Sequence, residues 1–183
     1  MGLQIEDGTG AGYTAGVNSI NRFLTSAVIE SADRLQNATG KVWSLYFAVT
    51  PVGAGDYFFY LENTGTKILH ITDIRISSSV ASQISYHYVT GTPSYATTAT
   101  VTTTNRNTGS AGAPSATIRD DTNITGLTSA GIVFFEECAV ADTMYHLRTT
   151  SNLRLDVGAK FAMERVAATG LVTCLVSLVE VFE

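Results

Sequence analysis

The most apolar run of the chain is its last segment, residues 171–182 (Leu-Val-Thr-Cys-Leu-Val-Ser-Leu-Val-Glu-Val-Phe). β-Branched residues dominate it. Such side chains lose rotamer freedom on a helix and fit a pleated sheet. At period two, Val172, Cys174, Val176 and Leu178 fall on one face, and Leu171, Leu175, Val179 and Val181 on the other. Only Thr173 and Ser177 interrupt the pattern. A sheet with one face in water alternates apolar and polar positions. The run therefore predicts a central strand covered on both sides, by a second sheet or by another copy of the chain. It is shorter than the roughly 20 residues of a membrane-crossing helix.

The same period recurs upstream in short pieces. Residues 42–50 predict a first strand, stopped at Pro51, and residues 56–62 a second. In the second, Tyr57, Phe59 and Leu61 share one face and Phe58 and Tyr60 the other. Asn63-Thr64-Gly65 is a turn signal. Residues 66–77 predict a third strand, but Ile68, Ile74 and Ile76 share one parity and Leu69 and Ile71 the other. That switch predicts a bulge near Thr72-Asp73. Further strands are expected over 84–89, 97–104 (threonine-rich and exposed), 132–136, 144–149, 152–157 and 160–166, with a polar loop over 105–115.

About eight to ten short strands, turn signals between them and no long helix indicate an all-β protein. The expected architecture is a jelly-roll-like antiparallel β-sandwich with an extended N-terminal arm. A long polar crossover around 90–131 suits Greek-key connections better than simple hairpins. An immunoglobulin-like sandwich is the competing architecture. The domain reading is an arm over 1–36 and a body over 37–183. In the arm, Gly8, Gly10 and Gly12 mark a turn or loop, and a short helix is possible near 30–36. The arm has too few apolar residues for a core of its own and is expected to be disordered or ordered by a partner.

Composition sharpens this picture. Apolar residues make up 45% of the chain but charged residues only 15%, against roughly 25% in ordinary globular domains. Formal net charge is −5, and no run of Lys or Arg occurs, which argues against a nucleic-acid-binding face. Residues 1–13 contain no apolar segment, so no secretory leader is expected. Cys138 and Cys174 lie in apolar runs and read as buried free thiols, with a disulfide as the alternative.

Few residues suggest chemistry. Gly8-Thr9-Gly10-Ala11-Gly12 lacks the strand, helix and Lys-Ser/Thr pair of a phosphate-cradling loop. His70, His87 and His146 lie on different strands, with no two at metal-ligand spacing. Asp120-Asp121 reads as a solvated turn, with a calcium site as the alternative. Glu136 and Glu137 are neighbours on a strand, point to opposite faces and cannot act as a pair. No Gly-x-Ser-x-Gly elbow occurs. The expectation is a non-enzymatic protein with no catalytic residue, metal or cofactor. Trp43 sits beside Val42 and Leu45, which suggests packing in a core or subunit interface over a sugar-stacking platform.

The leader carries one resemblance. Asp7-Gly8-Thr9-Gly10-x-Gly12-Tyr13-x-Ala15-x-Val17-Asn18-Ser19-x-Asn21-Arg22, followed by residues 25–32, resembles the leader of small head decoration (cement) and minor head proteins of tailed bacteriophages. The Asn105-x-Asn107-Thr108-Gly109-Ser110 loop and the Val181-Phe182-Glu183 ending are similar to the same family. The resemblance implies a virion protein on the capsid exterior, made in the host cytoplasm. It also implies a jelly-roll-like body, oligomerised with a trimer favoured, that binds the major capsid protein and stabilises the head. Asp7, Thr9, Tyr13, Asn18, Asn21 and Arg22 would be the capsid-contact residues of the arm. No nucleic acid or membrane partner is implied. The alternative is a head-fibre or tail-associated adhesin that binds a host glycan.

Overall fold

The structure is a computed structural model of the 183-residue chain and describes residues 16–17, 23–24, 38–97, 100–138, 140–167 and 169–181. The chain divides into two units, Met1–Ser31 and Ala32–Glu183. In the first, β1 (Gly16–Val17) pairs antiparallel with β2 (Phe23–Leu24). The expected loop around Gly8, Gly10 and Gly12 and the possible helix near 30–36 lie outside the described residues.

The second unit holds β3 (Val42–Val49), β4 (Asp56–Asn63), β5 (Ile68–Ser78), β6 (Ser82–Ser94), β7 (Thr103–Asn105), β8 (Ala116–Cys138), β9 (Tyr145–Leu155), β10 (Lys160–Arg165) and β11 (Val172–Val181). One sheet has the order β7-β3-β11-β5-β9, and in the other β10-β4-β8-β6 closes on itself. Every pairing is antiparallel. The expected all-β, jelly-roll-like sandwich is therefore the architecture, with one sheet closed, which the pattern did not predict.

β11 is the centre of the open sheet, paired with β3 along one edge and β5 along the other. Its Val172, Cys174, Val176 and Leu178 are fully buried between the sheets, in one core with Trp43, Phe47, Phe59, Ile74 and Phe161. On the opposite face Val179 is buried and Leu175 half-buried. Phe47 from the open sheet stacks on Phe59 from the closed one, centroids 4.8 Å apart, and Phe59 meets Phe161 edge-on. Such pairs contribute about 0.5–1.5 kcal/mol each beyond their buried area.

Bulges on β5 and β4 adjust the register. Thr72 is skipped in the pairing of β5 with both neighbours, as the parity switch predicted. Phe58 is skipped in the same way on β4. This brings Phe58 and Phe59 into the same core cluster. All four residues from Phe58 to Leu61 are fully buried. Phe58, Phe59 and Leu61 join the inter-sheet core, while Tyr60 joins a second cluster with Val89, Ile124 and Ala162.

The closed sheet departs most from expectation. Residues 90–131 are not one polar crossover: they contain the end of β6, all of β7 and much of β8. The first part of β8 runs along β4, from Ala116 opposite Asn63 to Ile124 opposite Tyr57. The rest runs along β6, from Thr125 opposite Ser94 to Cys138 opposite Ser82. Closure takes a sharp bend where the strands meet. Gly91 (φ +96°) and Gly126 (φ +77°) supply it, and a Cβ on either would strike backbone of the other strand. The threonine-rich strand expected over 97–104 shrinks to β7, an edge strand of three residues. The strands expected over 144–149 and 152–157 are one, β9. Asp120 and Asp121 lie within β8 and not in a loop.

Candidate functional site

Most of the buried polar groups of the body act as ties between chain segments. Arg165, at the end of β10, is fully buried. Its Nε donates to Ala167 O (3.3 Å), its Nη1 to Gly170 O (2.5 Å) and its Nη2 to Ser78 Oγ (3.0 Å). One guanidinium thus joins the approach to β11 to the end of β5. Burial lowers its pKa, and the nearby Cys138 thiol works in the other direction. Asn63 Nδ2 donates to Lys67 O (2.8 Å) and Leu155 O (2.9 Å), while its Oδ1 accepts from Gly65 N (3.1 Å). Asp121 accepts from the backbone N–H of Thr97 (2.8 Å) and of Thr122 (2.6 Å). Backbone donors thus hold its carboxylate, and the calcium alternative finds no support there. Asp120, beside it, has its pKa raised by burial first and by the Asp121 charge last.

Trp43 is buried, and its Nε1 donates to Gly112 O at 2.7 Å. It is a core residue that also pins the 105–115 loop, and its face is closed to a sugar. Asn105 Nδ2 holds the same loop, donating to Gly40 O (2.8 Å) and Gly112 O (3.0 Å). Cys138 and Cys174 are free and buried, as expected, and burial raises the pKa of Cys174.

The exception is a cluster on the closed sheet that uses all four of its strands: Tyr57 (β4), His87 (β6), Ser129 (β8) and Glu164 (β10). His87 is 3% exposed, Ser129 is exposed and Glu164 half-buried. His87 Nδ1 lies 2.9 Å from Ser129 Oγ, and Nε2 lies 2.7 Å from Glu164 Oε2. The carboxylate sits off the ring N–H axis, so this second contact is a close charge approach and not an aligned hydrogen bond. Gly131 N–H donates to Ser129 Oγ at 3.1 Å. The Tyr57 ring meets His87 edge-on, centroids 5.5 Å apart. Its pKa is raised, first by burial and then by the Glu164 charge.

Nearby, Tyr60 donates to Glu62 Oε2 (2.9 Å), and its pKa is raised by burial and by that contact. Tyr95 meets Tyr60 edge-on, and Arg119 lies 5.8 Å above the Tyr95 ring. An open cleft of about 350 Å³ is lined by Tyr88, Val89, Thr90, Gly91, Gly158, Ala159 and Lys160. Lys160 Nζ is turned onto Gly91 O at 2.6 Å, so its charge serves the fold.

Among the described residues no group of three or more His, Cys, Asp or Glu is placed to hold a metal ion. The three histidines are dispersed. His70 is half-buried on β5 and His146 pairs with Asp73, apart from the His87 cluster. Glu136 and Glu137 pair opposite Ile84 and Gln83 on β6. The six arm residues singled out from the sequence, Asp7, Thr9, Tyr13, Asn18, Asn21 and Arg22, lie outside the described residues. The His87 cluster escaped sequence reading because its members are far apart: 42 positions separate His87 from Ser129. No local motif marks Ser129, and only pairing across a closed sheet gathers the four.

Comparison of the chain with protein-family models, with curated proteins and with solved structures returns no match to any of them.

Proposed function

We propose that the chain is a virion structural protein, a capsid decoration (cement) protein that binds the major capsid protein and stabilises the head of a tailed bacteriophage. The observation that carries this reading is the use of the buried polar groups. Buried Arg165, Asn63, Asp121 and Trp43, with half-buried Asn105, each join segments distant in sequence. A body cross-tied in this way suits a load-bearing role. The resemblance of the Asp7–Arg22 leader adds the partner, and the acidic net charge of −5 suits the outer face of a capsid over one that lines DNA.

In this reading the leader seats on the capsid through Asp7, Thr9, Tyr13, Asn18, Asn21 and Arg22. The body, as a homo-oligomer with a trimer favoured, spans joints between capsid subunits. Area buried across those joints stabilises the shell by mass action, because the protein binds the assembled lattice and not its separated subunits. That action needs no catalysis and no cofactor.

The test is co-sedimentation with purified heads. Full-length protein is expected to sediment with them. A chain lacking residues 1–26, and full-length protein carrying Asn21→Ala and Arg22→Ala, should remain in the supernatant with an unchanged circular-dichroism spectrum. Full head occupancy by the truncated chain contradicts the anchoring role. Light scattering of the free protein reads the oligomer order.

A further inference from the structure

We infer that the body associates end to end with further copies of itself, the apolar turn end of one copy seating on the cleft end of the next. This contact is the homo-oligomer interface of the function proposed above and rests on that reading. Self-association and head binding are measured separately, so either can fail alone.

The two ends of the sandwich differ. At one end gather the turns from β3 to β4, β5 to β6 and β8 to β9 and the connection from β10 to β11. Val172 pairs there with Val49 and Ser78, Arg165 with Asp56 and Ile84, and Cys138 with Ser82. Of the eight large apolar side chains that the described residues expose, five stand at this end: Val52, Val140, Met144, Val166 and Leu171. Turns ordinarily carry polar residues, and exposed apolar groups gathered in one place mark an interaction surface.

The turns that present them are fixed. Ser79 N–H donates to Leu171 O and Leu171 N–H to Ser79 Oγ, both at 2.9 Å. Asp142 N–H donates to Ser78 O (2.7 Å), Val166 N–H to Gln83 O (2.9 Å) and Val52 N–H to Thr122 O (3.0 Å). Arg165 ties the same turns from within. Docking through them therefore costs little ordering entropy.

Charge and shape name the occupant. Residues 50–57, 78–84, 136–145 and 164–173 build this end and hold five acidic residues and one basic residue, the buried Arg165. Two such ends repel each other, which rules out pairing of like with like. The opposite end is basic. Residues 40–43, 62–69, 105–116, 154–160 and 179–181 hold five basic and three acidic residues. That end also carries the open cleft of about 350 Å³, with Tyr88, Val89 and Ala159 among its walls. Exposed Val157 adjoins the cleft in sequence. Asn63 joins the cleft turn to exposed Lys67: its backbone bonds Gly158 N and Ala159 O, and its side chain bonds Lys67 O. An apolar hollow in a basic surround is the complement of apolar tips in an acidic one. A contact between unlike ends closes into a ring where the rotation allows and otherwise grows as a chain. The trimer favoured above is the three-membered ring.

The experiment is sedimentation velocity of the full chain over a concentration series at low and high salt. Wild type is expected to associate, less so in high salt, because part of the attraction is between exposed charges. Met144→Lys with Leu171→Lys blocks the apolar end, and Val157→Glu with Lys67→Glu blocks the cleft end. Each double variant should lower the association constant about 10-fold or more. A mixture of the two should form a dimer and stop, since one intact apolar end meets one intact cleft end. Met144→Lys alone and Val157→Glu alone replace a double variant that fails to fold. A wild type that stays monomeric up to its solubility limit overturns the inference. So does undiminished association of either variant, a mixture that stays monomeric, or association that salt leaves unchanged.

Discussion

Replacing Arg165 with Met tests whether the body is held by its polar ties. Met keeps the apolar stem and removes the guanidinium. Three hydrogen bonds are lost, to Ala167 O, Gly170 O and Ser78 Oγ. A bond from a charged donor is worth about 1.5–3 kcal/mol, so the gross loss is roughly 4.5–9 kcal/mol. Against this, the variant no longer buries an ion, which relieves several kcal/mol. The two carbonyls and the hydroxyl stay behind in a site where Arg165 is fully buried, and unmet acceptors make the balance unfavourable. The expected net destabilisation is about 2–4 kcal/mol. In a domain of this size that lowers Tm by roughly 5–15 °C. Urea unfolding followed by fluorescence measures the first quantity, and calorimetry the second. Ser78→Ala, which removes only the Nη2 contact, should cost about 1 kcal/mol. If Arg165→Met falls within about 0.5 kcal/mol of wild type, the cross-tie argument fails, because a buried cation would then be dispensable.

Gly91→Ala should cost about 2–3 kcal/mol in urea unfolding, since strain at positive φ adds to a collision with Gly126 O. Gly158→Ala, at φ +77° with open space around it, should cost only the strain, about 1 kcal/mol. Tyr57, Tyr60, Tyr88 and Tyr95 all have pKa values raised above the ordinary 10.0, chiefly by burial. The folded state therefore keeps protons that the unfolded state loses. Stability should be unaffected below pH 10.0 and fall as pH rises past it, with these four tyrosines ionising late in an absorbance titration. Neither cysteine should react with Ellman's reagent until the chain unfolds, when both should; a fast native reaction at either would show that its thiol is not sealed in the core.

Period-two patterning alone was enough for the sandwich. Val172, Cys174, Val176 and Leu178 occupy one face of β11 because any strand so patterned must bury that face, whatever its neighbours. The bulge at Thr72 was equally legible, since apolar residues that change parity within one strand can share a core only where the ladder skips a position. Cys138 and Cys174 followed from the same runs. The second half of the closed sheet was hidden for the opposite reason. Thr, Asn, Asp and Gly dominate residues 116–131, and such residues signal turns when read locally. They form a strand because β4 and β6 supply hydrogen-bonding edges on both parts of β8, a non-local gain that local propensity does not register. The same closure brings Tyr57, His87, Ser129 and Glu164 together, from four strands that no spacing rule links. A covered face needs only its own residues to declare it, whereas a contact between distant segments exists only once the backbone has closed around it.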